Sequence, residues 1–142
     1  MDRSPPELWF RASPLASLPT LINLIKRGKL IVTPRLGVRN KLHEHGYVKG
    51  EIATLRVKDG SMDVLEPLRV RIASVVSKRL YDFTVRDLAP TLIYSSWEAV
   101  RKDLSHFAGY HVDAEEMASL VTFEYLTGTE GGDHGALETA SA

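Results

Sequence analysis

A short stretch near the start of the chain, KRGKLIVTPR, places four cations and a threonine around a glycine. Lys26 and Arg27 fit the end of a helix, where cations meet the last unpaired carbonyl groups. Lys29, Thr33 and Arg35 need another explanation. An ammonium group binds phosphate as a point charge, and a planar guanidinium group binds phosphate or the edge of a base. The stretch therefore predicts an anion-binding site to which the threonine adds a hydroxyl group.

The residues that follow extend this site. Two more cations and an aromatic ring come next, and an aromatic ring beside cations is what a base-stacking platform requires. The predicted RNA-binding residues are Lys26, Arg27, Lys29, Arg35, Arg39, Lys41 and Tyr47. His43 and His45 lie in the same segment and would allow acid–base cleavage of RNA, although a polar surface loop also explains them. They lack further ligands at zinc-type spacing, so we predict no metal site and no cofactor.

A strand must position the central residues of this site. Leu30, Ile31 and Val32 are apolar and mostly β-branched, while Pro34 fits only the edge or the end of a strand. Alternate residues of a strand face the same side, so Thr33 and Arg35 should share one face, with Lys29 in phase. The alternative is an edge strand that its charges protect against aggregation.

The remaining pattern predicts an α+β domain. Helical spacing and capping signals predict helices, and alternating apolar residues predict strands. The predicted helices are 19–27, 85–88 and 97–107, and the predicted strands are 30–32, 51–58, 68–76 and 120–126. We expect the mostly antiparallel strands to curl into a small β-barrel with flanking helices. The predicted organisation is an N-terminal extension at 1–17, the domain at 18–126 and a disordered, acidic and glycine-rich tail at 127–142.

Composition narrows the class of protein. The 142 residues contain no cysteine, which excludes disulfides and thiolate sites. No apolar run is long enough for a signal peptide or a membrane span, so we expect a cytoplasmic protein without a membrane partner. The formal net charge is zero, yet residues 26–79 hold 13 of the 18 Lys and Arg and only 5 of the 18 Asp and Glu. A basic half of the chain favours a polyanionic partner over a neutral one, although solvated strand faces also explain it.

The order of these motifs resembles the ASCH domain family over residues 18–126. The resemblance begins with a helix ending in KRGK, a strand containing VTPR, and Gly50-Glu51 at the start of another strand. It continues with the segment YDFTVRDL, the capped helix and the closing Thr122-Phe123-Glu124. The family implies a small barrel related to PUA domains, with the basic segment in a cleft beside the first helix. It also implies a link to RNA metabolism or translation-related regulation, and hence RNA or a nucleoside or nucleotide as the partner.

Enzyme activity is the alternative function that the resemblance implies. Some members of the family hydrolyse acetylated cytidine with a lysine, a threonine and a glutamate, and ribonuclease activity has been proposed for bacterial members. In this chain Lys29 and Thr33 are the candidate catalytic residues. Leu30 occupies the position of the family's lysine, with Lys29 one residue away, and the segment 91–94 holds no carboxylate where the glutamate is expected. A bulge near Gly28 would restore Lys29 to the site.

Overall fold

The computed structural model describes residues 5–40, 43 and 45–126. Its helices are α1 (Leu18–Lys26), α2 (Val85–Leu88) and α3 (Trp97–Ala108), and single 3-10 turns span Leu80–Asp82 and Ala89–Thr91. Its strands are β1 (Glu7–Phe10), β2 (Val32–Leu36), β3 (Ile52–Asp59), β4 (Met62–Asp63), β5 (Leu68–Arg79) and β6 (Met117–Tyr125). The predicted tail at 127–142 and Lys41 lie outside the described residues.

The main strands form one curved sheet in the order β1-β3-β5-β6-β2, and β4 pairs with β3 alone. The β3–β5, β5–β6 and β6–β2 pairs are antiparallel, whereas β1 runs parallel to β3. This arrangement confirms the α+β class. The predicted closed barrel is wrong, because β1 and β2 remain the two edges of the sheet and no ladder of backbone hydrogen bonds joins them.

The buried side chains form two hydrophobic clusters. The first lies between α1 and one face of β1, β3, β5 and β6, where Leu8, Leu55 and Phe123 are almost fully buried. The second lies under α3 and includes Val100 and Leu104 together with apolar residues of β2, β6 and the α2 region. The helices therefore cover two different parts of the sheet, and the region between α1 and α3 is available for a pocket.

The periodic segments fold as their patterns predict. In β3, Ala53, Leu55 and Val57 are buried and alternate with more exposed residues. Helix α3 begins after the cap at Ser96 and ends at Gly109, whose φ of 80° suits a glycine. Within the described part of the chain, no helix is both long and apolar enough to cross a lipid bilayer.

Two local predictions need correction. Residues 7–10, inside the predicted N-terminal extension, form β1 and pair with Thr54 to Val57 of β3. The strand predicted at 30–32 begins at Val32 and continues to Leu36, so the residues next to Gly28 are not part of it. The N-terminal segment is thus an edge of the sheet, and the basic segment is divided between a turn and a strand.

Candidate functional site

The side chain of Arg35 bridges the open seam between the two edge strands. Its Nη1 donates a 2.7 Å hydrogen bond to the backbone oxygen of Trp9 on β1, and its Nη2 donates a 3.2 Å bond to Thr33 Oγ1 on its own strand. Since Arg35 and Thr33 contact each other, the prediction that they share one face of the strand is confirmed. The guanidinium group of Arg35 therefore joins β1 and β2, which are not paired by backbone hydrogen bonds.

Side chains also satisfy the free edge of β1. The N–H of Thr54 on β3 donates to Pro6 O, so by alternation the carbonyl groups of Glu7 and Trp9 point away from β3. Tyr47 Oη donates to Glu7 O at 2.8 Å, and Arg35 donates to Trp9 O. Two side chains therefore supply the donors that a further strand would have supplied.

A pocket of about 290 Å³ opens at this seam. Its walls combine both edge strands, α1, α3 and the segment before α3, and so draw on both hydrophobic clusters. Aromatic side chains form much of the lining: Trp9, Phe10, Tyr94 and Phe107. A volume near the lower end of the range for ligand sites, about 300–1,000 Å³, suits a single nucleotide-sized group.

The charge of Arg35 is the main electrostatic feature of the pocket. Its Nε atom is buried and has no hydrogen-bond partner, and among the described residues it forms no ion pair with a carboxylate. Burial lowers the pKa of Arg35, and the charge of Arg39 lowers it further, against opposing effects of Tyr47 and Tyr94. The guanidinium nevertheless stays protonated at neutral pH, because arginine is the strongest base among the side chains. The pocket wall thus holds a cation that lacks a protein anion.

Arg39 also lines the pocket, and a tight turn after β2 brings it there. The turn passes through Gly37, whose φ of 93° favours glycine. Buried Ser119 fixes this turn, since its hydroxyl donates to Gly37 O at 2.7 Å and accepts from the N–H of Arg39 at 2.9 Å. The Nε of Arg39 donates to Leu36 O at 2.6 Å. The second cation is therefore anchored by its backbone and its side chain.

The other polar part of the lining is formed by two hydroxyl groups. Tyr94 Oη donates to Asp103 Oδ2 at 2.7 Å, and Ser13 Oγ donates to the same oxygen at 2.5 Å. Asp103 lies on α3 behind the lining, with 1% of its surface exposed, and its Oδ1 has no partner. Burial, and then the bond to Asp103, raise the pKa of Tyr94, so the phenol remains neutral. These three residues were missed at the sequence level.

The structure separates the first cations of the basic segment from the pocket. Lys26, Arg27 and Lys29 are exposed around the carboxyl end of α1, and none of them lines the pocket. Gly28, with a φ of 67°, turns the chain there, and the N–H of Lys29 donates to Leu24 O at 2.8 Å. Cations at this end of a helix complement its partial negative charge. They form a basic turn outside the pocket, next to the end of β6.

The catalytic set that the family resemblance implies is incomplete in the pocket. Thr33 lines the pocket with 6% of its surface exposed, and Leu30 lines it where the lysine is expected, whereas Lys29 does not. Among the described residues no Asp or Glu lines the pocket. The turn at Gly28 does not restore Lys29 to the strand face, and the side-chain partner of the Thr33 hydroxyl within the described ranges is the guanidinium of Arg35, which is not a base.

The last predicted residues have other surroundings. Tyr47 is 5% exposed, packs in the first hydrophobic cluster and contacts Glu7, so its ring offers no free face for stacking. His43 and His45 do not line the pocket. Within the described ranges, no three side chains of the types that ligate metals come together.

Comparisons with known proteins agree with this architecture. No protein-family model and no curated protein sequence matches the chain. A crystal structure of a DUF984 protein from Enterococcus faecalis has a TM-score of 0.57 at 20% identity, and the match covers 89% of this chain and 83% of that one. A crystal structure of an ASCH domain from Lactobacillus crispatus has a TM-score of 0.53 at 18% identity, covering 83% and 79%. The resemblance seen in the sequence is thus confirmed for the fold, and the protein has an ASCH-type fold.

Proposed function

We propose that the protein binds RNA by taking one nucleotide into the pocket at the seam, while the basic turn contacts the neighbouring backbone. The observation that carries the proposal is the cation of Arg35, which lines the pocket without a carboxylate partner among the described residues. Removing a charge from water is costly unless an opposite charge compensates for it. A bound phosphate would supply the missing anion.

The shape of the pocket supports a nucleotide over a simple anion. Phosphate alone would need only Arg35 and Arg39, whereas the exposed ring of Phe107 supplies flat apolar surface for a base. The ring of Phe10 is covered by the guanidinium of Arg35, and Arg11 and Lys58 lie over the ring of Trp9. Stacking of a base on an aromatic side chain contributes about 1–3 kcal/mol. Since about 290 Å³ holds one nucleotide and no more, the rest of an RNA strand would run over the surface.

The basic turn supports a polymer over a free nucleotide. Lys26 and Lys29 are exposed, form no ion pair with another described residue, and lie outside the pocket. Exposed cations of this kind contact phosphates of a strand and release its counterions. Hydrolysis of acetylated cytidine is less well supported, because the described lining of the pocket holds neither the lysine nor the carboxylate of that reaction.

Fluorescence anisotropy of a labelled single-stranded RNA across a salt series tests the proposal. The logarithm of affinity should fall linearly with the logarithm of salt concentration. Each lost phosphate contact should reduce the slope by about 0.7, so Lys26→Ala/Lys29→Ala should reduce it by about 1.4. Excess nucleoside monophosphate should displace the RNA, because both occupy the pocket.

Arg86→Ala/Lys102→Ala is the charge-matched control. Both residues are exposed and lie outside the pocket, so their removal should leave the slope unchanged. If RNA does not bind at low salt, or if the control pair changes the slope as much as the turn pair, RNA binding at this site is refuted. Binding of monophosphates without binding of RNA would instead favour a nucleotide-binding protein.

A further inference from the structure

Tyr94 and Ser13 line the pocket, and the hydrogen atoms of their hydroxyl groups are already used. A hydroxyl group has one hydrogen to donate, and both hydroxyls donate it to Asp103 Oδ2, at 2.7 and 2.5 Å. Ser13 Oγ also accepts the N–H of Ala16 at 3.2 Å, and the Ser13 hydroxyl interacts with that of Tyr94, so each oxygen keeps only part of its acceptor capacity for a ligand. Toward a ligand, both oxygens can therefore only accept hydrogen bonds.

Asp103 strengthens this acceptor character. It is 1% exposed, lies directly behind the two hydroxyls, and its Oδ1 is buried without a partner among the described residues. A carboxylate that receives two hydroxyl donors holds both in one orientation, because turning either hydroxyl into the pocket would cost a charge-assisted hydrogen bond. Asp103 is a positioning residue that sets the polarity of this part of the lining.

The guanidinium groups have the opposite polarity. Arg35 and Arg39 line the pocket and carry only donors, and Arg35 Nε has no acceptor in the protein. The pocket thus combines donors at the seam with acceptors at Tyr94 and Ser13. A ligand that satisfies both must carry an acceptor or an anion at one end and a hydrogen-bond donor at the other.

We infer that the pocket selects nucleotides whose base presents an amino group to Tyr94, and rejects those that present a carbonyl oxygen there. This inference rests on the proposed function and adds to it the class of base. Adenine and cytosine carry an amino group at the position where uracil and hypoxanthine carry a carbonyl oxygen. A carbonyl oxygen facing Tyr94 Oη would leave two acceptors opposed and both unsatisfied.

Isothermal titration of paired nucleoside monophosphates tests the inference. Within each pair, cytidine against uridine monophosphate and adenosine against inosine monophosphate, the phosphate and sugar are the same. The exocyclic amino group is replaced by a carbonyl oxygen, and the neighbouring ring nitrogen changes from an acceptor to an N–H donor, so the comparison with Tyr94→Phe isolates the part due to Tyr94. The amino-bearing member should bind at least about fivefold more tightly, as an unsatisfied buried polar group implies.

Tyr94→Phe should lower both affinity ratios more than any other single change, because it removes the acceptor that meets the base and keeps the ring. Tyr110→Phe is the matched control, since Tyr110 is exposed and its hydroxyl contacts Glu116 away from the pocket. Ser13→Ala removes the second acceptor without touching a ring, and should lower the ratios partly. Thermal unfolding of each variant shows whether it is folded at the temperature of the titration.

The results separate this inference from the proposed function. If monophosphates bind and Arg35→Lys weakens them, but both members of each pair bind equally or the carbonyl-bearing member binds more tightly, the inference is overturned and nucleotide binding stands. A preference for amino-bearing bases that survives undiminished in folded Tyr94→Phe also overturns it. If neither RNA nor any monophosphate binds, the inference and the proposed function both fail.

Discussion

Arg35→Met tests whether the guanidinium at the seam serves the fold or a ligand. Methionine keeps much of the length and apolar surface of the arginine stem and removes the charge. The change deletes the hydrogen bonds to Trp9 O and Thr33 Oγ1 and the contact of the guanidinium with the Phe10 ring, 5.0 Å from its centroid. If these bonds existed only to join the two edge strands, their loss should destabilise the fold clearly.

The expected size of the effect follows from two opposing contributions. A hydrogen bond to a charged group contributes about 1.5–3 kcal/mol, so two of them would amount to about 3–6 kcal/mol. Against this stands the cost of partly desolvating a cation that no carboxylate compensates among the described residues; the side chain of Arg35 is half-buried and its Nε is fully buried, so this cost is below the several kcal/mol of a fully buried ion. Because the charge of Arg39 adds repulsion, we expect the two contributions to cancel, with a net change in the free energy of unfolding within about 1 kcal/mol.

Urea unfolding, followed by circular dichroism and extrapolated linearly to water, measures this free energy. The same preparation of Arg35→Met should lose measurable affinity for nucleoside monophosphates, because the phosphate of the ligand no longer has a guanidinium group to bind. Arg86→Met is the control, as Arg86 is exposed and outside the pocket. A loss of stability above about 3 kcal/mol together with unchanged nucleotide affinity would show that Arg35 is a structural clamp and refute the reasoning.

Two further predictions concern the support of the site and the pH dependence of stability. Ser119→Ala should lower the free energy of unfolding by about 1–3 kcal/mol and weaken nucleotide binding, because it releases the turn that holds Arg39; unchanged affinity in a destabilised variant would contradict this link. The pKa of Asp87 lies below its ordinary 3.8 because Lys78 and the capping bonds of Thr84 stabilise the carboxylate. That stability is present above the ordinary pKa and is lost as the pH falls through the lowered pKa. In urea unfolding from pH 6 to pH 2, the free energy of unfolding of wild type should therefore exceed that of Asp87→Asn, and the difference should disappear only in acid. An advantage that persists unchanged to pH 2 would be inconsistent with the lowered pKa.

The periodic elements could be predicted because their signals are local. In β3 the apolar residues alternate, and in α3 a cap, an apolar face and a final glycine occur together. Strand β1 has only four residues, which is too short for an alternating pattern to be recognised, and it forms by pairing with β3. Closure of the sheet into a barrel depends on whether two edge strands that are far apart in the sequence pair with each other. No local sequence pattern encodes this pairing, and the predicted barrel is not formed.

The candidate site could likewise be predicted only where its signals are local. Alternation correctly places Thr33 and Arg35 on one face, but the turn at Gly28 precedes the strand and removes Lys29 from that phase. Asp103 had a signal that was missed: it sits three residues after Val100 and one before Leu104, on the buried side of α3. A carboxylate at such a position needs buried donors, and those donors are Tyr94 and Ser13.

Where one side chain bridges two edge strands, the gap between those strands can change without any change in the backbone pairing of the sheet. Strands joined by a ladder stand about 4.8 Å apart whatever their sequence, because the spacing belongs to the peptide group. The gap between β1 and β2 is instead bridged by the side chain of Arg35, whose length and charge a single substitution can change. Under the proposed function, a substitution at this one position would alter the width and charge of the pocket mouth, while the residues of the five-stranded path and of both hydrophobic clusters stay the same.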